Sequence, residues 1–309
     1  MWRSGRPWFI GSACAVVAMA LTWYLSHEVA VLRLLDVSIL QGFLELRRPI
    51  LDGPANLLTS LFNPFPHVVL CAVPVGVALR RGRRDVALGI LVLLFGANAT
   101  TEFLKPLAVG PRDWVAVPGI YLSHATWPSG HSTASMSLAL AMVISAPQRL
   151  RPLVASLMAA LVIGVVYSLL TLGWHFPSDV LGGFEVAICW ALFVVGAVRA
   201  HEARRPALAS QVTRPRALSL TETLRPAAVM LVYALGVAAA LTAARPAQVI
   251  GFATAHPAFM TGAVAIALLS FACASGFSLL LRRSAAPGPG SAPAPTAAPR
   301  SRPPRSRLG

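Results

Sequence analysis

Apolar runs of about 18 to 25 residues recur along this chain from near the N-terminus to Leu281, each long enough for a helix to cross a hydrocarbon core of roughly 30 Å at about 1.5 Å per residue. They predict eight membrane helices, over residues 8–26, 55–79, 86–104, 130–146, 153–172, 178–198, 226–243 and 257–281. The overall balance agrees. Of the 309 residues, 56% are hydrophobic and only 12% charged, whereas soluble domains carry about one quarter charged residues. The sequence reads as an all-α, polytopic membrane helical bundle.

A net charge of +15 suggests nucleic acid only if the basic residues mass on one soluble surface. Here they sit in loops and a tail, so no nucleic-acid partner is expected. Eight crossings place both termini on one side. With that side cytoplasmic, only Arg33, Arg47, Arg48, Lys105, Arg112 and Arg245 of the 26 basic residues lie outside, as the positive-inside rule requires. Arg3 and Arg6 precede the first run, which exceeds the roughly 7 to 15 apolar residues of a signal peptide, so an uncleaved first helix is expected. Cys14, Cys71, Cys189 and Cys273 each fall within an apolar run, without metal-ligand spacing, and read as packed or lipid-facing thiols.

Four segments follow: a six-helix membrane core over residues 1–200, a basic cytoplasmic linker over 201–225, two further membrane helices over 226–282, and a Pro/Ala/Arg-rich tail over 283–309. The tail lacks aromatic residues and is expected to be disordered, its arginines either solvated or against anionic headgroups.

Three polar clusters break the apolar pattern. They are Lys105-Pro-Leu-Ala-Val-Gly-Pro-Arg112, Trp127-Pro-Ser-Gly-His131, and Ser168 to Asp179, which contains Trp174-His175. The eight-helix topology brings all three to the extracytoplasmic face. Phosphoryl transfer needs cations and N–H donors around the equatorial oxygens, an in-line nucleophile, and an acid for the leaving oxygen. Lys105 and Arg112 supply charge, Arg112 as a planar fork; Lys105 is the single lysine beside 25 arginines. Ser129-Gly130 leads into a helix whose free N–H groups favour an anion, and His131 at its rim can donate a proton. His175 and Asp179 are four apart, so on a helix they share a face, Asp179 setting the imidazole tautomer and leaving the other ring nitrogen free to attack phosphorus. Taken singly, a loop histidine is an interface residue and Asp179 a helix cap; the set together points to catalysis.

These motifs resemble the type 2 phosphatidic acid phosphatase superfamily, which includes acid phosphatases and vanadium haloperoxidases, in its pattern Lys-x6-Arg-Pro, Pro-Ser-Gly-His and Ser-Arg-x5-His-x3-Asp. The match runs from Lys105 to Asp179, with Val180-Leu-Gly-Gly183 following. The resemblance implies His175 as nucleophile through a phosphohistidine, Asp179 as its partner, His131 as general acid, and Lys105, Arg112, Ser129 and Gly130 as the phosphate cradle, without metal or other cofactor. Two residues depart from the pattern: Asp113 replaces the proline after Arg112, and Leu169 stands where the family places an arginine.

Of the remaining polar residues, His27, His67 and His256 are expected at the interface, and His124 either at the substrate entrance or simply exposed. Glu102 is expected to hold Lys105, and Asn98 to bond between helices. The expected activity is metal-independent hydrolysis of a lipid phosphate or diphosphate, such as phosphatidic acid, phosphatidylglycerol phosphate or a polyprenyl diphosphate. The partners are that lipid and membrane lipids, in a bacterial cell membrane, with both termini cytoplasmic and the site extracytoplasmic. Two alternatives stand: a phosphotransferase, and a catalytically impaired lipid-binding or transport protein, the latter motivated by Leu169. A haloperoxidase is disfavoured by the membrane bundle. The last two helices are open to three readings, as a dimer contact, a wall of the lipid entrance or a docking site.

Overall fold

A computed structural model describes residues 5–109, 126–204 and 219–285. Among them every regular element is helical: α1 (Arg6–Glu28), α2 (Ala30–Glu45), α3 (Pro49–Ser60), α4 (Pro64–Arg80), α5 (Arg84–Leu107), α6 (Gly130–Ser145), α7 (Arg151–Thr171), α8 (Pro177–Ala203), α9 (Leu220–Ala244), α10 (Pro246–Ala255) and α11 (Pro257–Ala285). Six of them, α1, α5, α7, α8, α9 and α11, are long and apolar enough to cross a membrane, and α3 with α4 makes a seventh if the bent pair is one span. The chain is a polytopic helical bundle.

The bundle is built around α6, which packs on α4, α5, α7 and α8. Nearly every residue of α6 is buried, which explains how a helix rich in serine and alanine sits at the centre. Small side chains let neighbouring helices approach, and hydroxyls such as Ser135, Ser137 and Ser145 return their hydrogen bonds to the backbone of their own helix. With 16 residues, α6 spans about 24 Å at ~1.5 Å per residue. It is one residue shorter than the span 130–146 that the sequence predicts there, and it falls short of the roughly 20 residues of a full crossing.

Three further departures have local causes. The predicted span 55–79 is two helices bent by 58°. Asn63 is extended, with φ −65° and ψ 154°, and Pro64 opens α4; a residue before proline is pushed out of the helical region. Residues 30–45, expected to form a loop, are α2, whose buried Val37, Leu40 and Phe43 share one face at helical spacing while Arg33 and Gln41 interrupt the run. A search by length for spans passes over such a helix. Between the last two expected spans lies the short α10.

The final helix is part of the core. Phe259, Ile266, Ala274, Phe277 and Leu281 join the same cluster as Leu40, Phe43, Met136 and Val166. The rings of Phe43 and Phe259 lie 4.8 Å apart, and the Tyr167 hydroxyl donates to Ala263 O at 2.6 Å. Gly42 makes this crossing possible, since a Cβ there would lie 2.3 Å from the Phe259 Cβ. By contrast α9 buries only Thr223 and exposes Val229, Leu231, Val232, Tyr233 and Leu235, a surface suited to lipid.

Candidate active site

At one end of the bundle the C-termini of α5 and α7 meet the N-termini of α6 and α8, and there the predicted residues gather. Ser129 is the N-cap of α6, wholly buried, with its hydroxyl accepting from Ser132 N at 3.3 Å and from Ser132 Oγ at 3.0 Å. Its own N–H donates to Asp179 O at 2.9 Å, which ties the second motif to the third. Thr101 Oγ1 donates to Thr133 Oγ1 at 2.9 Å, and Thr133 Oγ1 donates to Ser129 O at 3.0 Å, a buried chain linking α5 to the first turn of α6. Gly130 opens the helix, and a Cβ on it would lie 3.4 Å from Lys105 Nζ and 3.5 Å from Glu102 Oε1. The ammonium therefore stands at the mouth of the α6 N-terminus.

Lys105 is held there by Glu102 through an ion pair of 2.6 Å. That is the role expected of Glu102; the pair is half open to solvent, so a phosphate would compete with the carboxylate for the ammonium.

His131 follows in the first turn of α6. Its Nε2 lies 3.4 Å from Asn63 Oδ1, and its ring is 5.9 Å from that of Trp174. His175 stands just before α8. Its Nδ1 faces Asp179 Oδ2 at 3.4 Å, with the carboxylate wholly buried. The same Oδ2 accepts from Phe176 N at 2.9 Å, so the carboxylate both caps the helix and fixes the loop that carries the imidazole. The 3.4 Å separation is longer than a fully formed hydrogen bond.

Sequence reasoning missed Asp36. From α2 its buried carboxylate accepts from Ser178 N at 2.9 Å and Ser178 Oγ at 2.6 Å, clamping the first turn of α8 beside His175 and Asp179. The available signal was an acidic residue inside an apolar stretch, but its partner lies 142 positions away. Asn63 was missed for the same reason.

Leu169 is wholly buried and packs with Phe62, Ala134, Leu138 and Val165, so that position supplies packing and no cation. Arg112, Asp113 and His124 lie outside the described residues. Of the three histidines expected at the interface, two are buried within the bundle. His27 is buried, stacked on Trp23 and bonded to Ser26; His67 is buried beside Cys71 and Phe62; His256 pairs with Glu45 at 2.9 Å. Asn98 donates to Leu94 O within its own helix, whereas Trp190 Nε1 to Thr100 Oγ1 makes the bond between helices there.

The structure is thus a polytopic helical bundle in which Lys105, Ser129, Gly130, His131, His175 and Asp179 gather at one end. Residues 86–203 match the model of the PAP2 superfamily. It is similar in fold to the crystal structure of a transmembrane PAP2-type phosphatidylglycerolphosphate phosphatase from Bacillus subtilis, with 22% sequence identity, a TM-score of 0.50, and coverage of 67% of this chain and 99% of that one. No curated protein matches the chain.

Proposed function

We propose that this lipid phosphatase hydrolyses a phosphomonoester or diphosphate on a membrane lipid through a phosphohistidine, at the extracytoplasmic face, without a metal. The observation that carries the reading is the buried Asp179 carboxylate 3.4 Å from His175 Nδ1, on a segment bonded directly to the cap of the anion-favouring α6 N-terminus. With Nδ1–H donated to Asp179, the lone pair of Nε2 is free to attack phosphorus. The P–N bond forms as the P–O bond to the lipid breaks, and the protonated His131 gives its proton to the departing oxygen. Water then gives a proton to the now neutral His131 and attacks phosphorus, the P–N bond breaks with its electron pair returning to Nε2, and phosphate leaves. Ser129, Gly130, Lys105 and Arg112 bear the charge on the equatorial oxygens. Phosphatidylglycerol phosphate, phosphatidic acid and polyprenyl diphosphate all present such a group. The likeness of fold to a phosphatidylglycerolphosphate phosphatase makes the first of these the substrate to test first, and an outward-facing site favours the last.

The test is release of inorganic phosphate from each lipid in detergent with chelator present, comparing the native chain with His175→Ala. Release from at least one lipid, lost in the variant, is expected. Equal rates in the two proteins would overturn the assignment of His175, and release abolished by chelator in the native chain would overturn the metal-free chemistry. Phosphate appearing on an added alcohol in place of water would identify a phosphotransferase.

A further inference from the structure

At the end of the bundle away from His175, the C-termini of α6 and α8 meet the N-terminus of α7 and the C-terminus of α11. Arginines concentrate here. Arg81 donates to Ser145 O at 2.6 Å and Arg151 Nε to Ala146 O at 3.2 Å, so both cap the free carbonyls that end α6. Arg83 and Arg199 share the carboxylate of Glu202, at 2.8 and 3.1 Å, and Arg83 also lies 3.9 Å from Asp85. Asp85 and Glu202 thus share this end with Arg81, Arg83, Arg151 and Arg199, and Arg151 donates to a neutral carbonyl.

Arg151 also lies between two crevices and lines both. The first is lined by Arg83 and Arg199 together with the aliphatic Val86, Ile144, Val194 and Leu281. The second is lined by Arg282, Gln148, Thr223 and Ser278. Within it the Gln148 amide nitrogen is buried and has no hydrogen-bond partner among the described residues. An orphaned buried donor costs about 1–3 kcal/mol, and an acceptor oxygen arriving from outside would satisfy it. Convergent guanidinium groups, an amide donor and two hydroxyls beside aliphatic side chains match a phosphate carried on a hydrocarbon chain.

We propose that the crevice around Arg151 binds the headgroup phosphate of an anionic phospholipid in the leaflet opposite the one served by His175. The phosphate sits among Arg151, Arg282 and Gln148, and an acyl chain lies along Val86 and Leu281. This site is separate from the catalytic one, since α6 runs between them with Ser129 at one end and Arg151 bonded at the other.

Phosphatidylglycerol is a suitable probe: it is an anionic phosphodiester, which a phosphomonoesterase leaves intact. Thermal stability of the purified full-length chain in uncharged detergent is measured against added phosphatidylglycerol, phosphatidylcholine or glycerol phosphate. Stabilisation by phosphatidylglycerol alone is expected. Arg282→Gln should weaken its half-maximal concentration about fivefold, the effect of one arginine near a charged headgroup, and Gln148→Glu should weaken it at least as much. Neither residue caps a helix, so both variants should keep their basal stability and phosphate release, while Lys105→Gln keeps the lipid response. An equal response to phosphatidylcholine, an unchanged response in both crevice variants, or its loss in Lys105→Gln would each overturn the proposal. Equal stabilisation by glycerol phosphate would also overturn it, in favour of a soluble anion.

Discussion

Asp179 shows how one side chain serves several demands. Its carboxylate receives the Phe176 N–H and faces His175, while its carbonyl receives the Ser129 N–H. Asp179→Asn preserves size and the cap but offers the imidazole an amide that can stabilise the wrong tautomer. The turnover number should fall by about 10²- to 10⁴-fold, by analogy with other His–Asp pairs, with little change in melting temperature. Lys105 gives the opposite case, a cation already engaged. Glu102→Gln removes the competing carboxylate at 2.6 Å and should lower KM for the lipid phosphate severalfold while leaving the turnover number within about twofold; a raised KM would show that Glu102 instead orients the lysine for binding. At Leu169, enclosed by Phe62, Ala134 and Leu138, an arginine would bring a charge into an apolar cluster. Leu169→Arg should destabilise the protein by about 2–4 kcal/mol, as other uncompensated buried charges do, and thermal unfolding in detergent measures it.

Helices meet at this site because small residues allow it. A Cβ on Gly183 would lie 2.8 Å from Ser129 O and 2.9 Å from Ser132 Cβ and Thr133 N. Two of those three atoms are backbone, which cannot swing aside, so Gly183→Ala must push α8 away from the first turn of α6. The expected cost is about 1–3 kcal/mol, with phosphate release falling more than stability would explain because the Ser129–Asp179 bond lies at the contact. The clamp from α2 works on the same helix end. Asp36→Asn retains an acceptor for Ser178 and should cost less than Asp36→Ala, which leaves the buried Ser178 N–H unpaired at about 1–3 kcal/mol. If both substitutions left activity and melting temperature unchanged, α2 would have no part in positioning the site.

Across the whole molecule, the last helix decides how much chain the catalytic unit needs. Because α11 places Phe259, Ile266 and Phe277 in the same cluster as Phe43 and Met136, a chain ending at residue 204 would expose the aromatic contact of Phe43 and Tyr167 and lose several buried side chains, each worth about 1.5–3 kcal/mol. Such a truncation is expected to aggregate or melt far below the full chain in size-exclusion and thermal assays, although it retains all of the matched residues 86–203. This packing accounts for α11 as part of the core; α9, with its apolar face outward, accounts for contact with lipid.

What the sequence determined by itself was local and periodic. Apolar runs near membrane thickness marked the long helices, Pro257 marked a helix start, and the spacing of Lys105, Ser129, Gly130, His131, His175 and Asp179 marked the candidate site. Those features are written in neighbouring residues, so they can be read without a partner. Only the tertiary structure decided the rest. That α2 is a helix, that Asp36 holds Ser178, that Glu102 and Lys105 stand against Gly130, and that α11 completes the core all depend on which surfaces meet. Partners such as Asp36 and Ser178 come together because burial leaves a carboxylate and an unpaired helix N-terminus no cheaper solution than each other. The constellation visible in the sequence thus acquired, from packing alone, a clamp from Asp36 on the helix end beside His175.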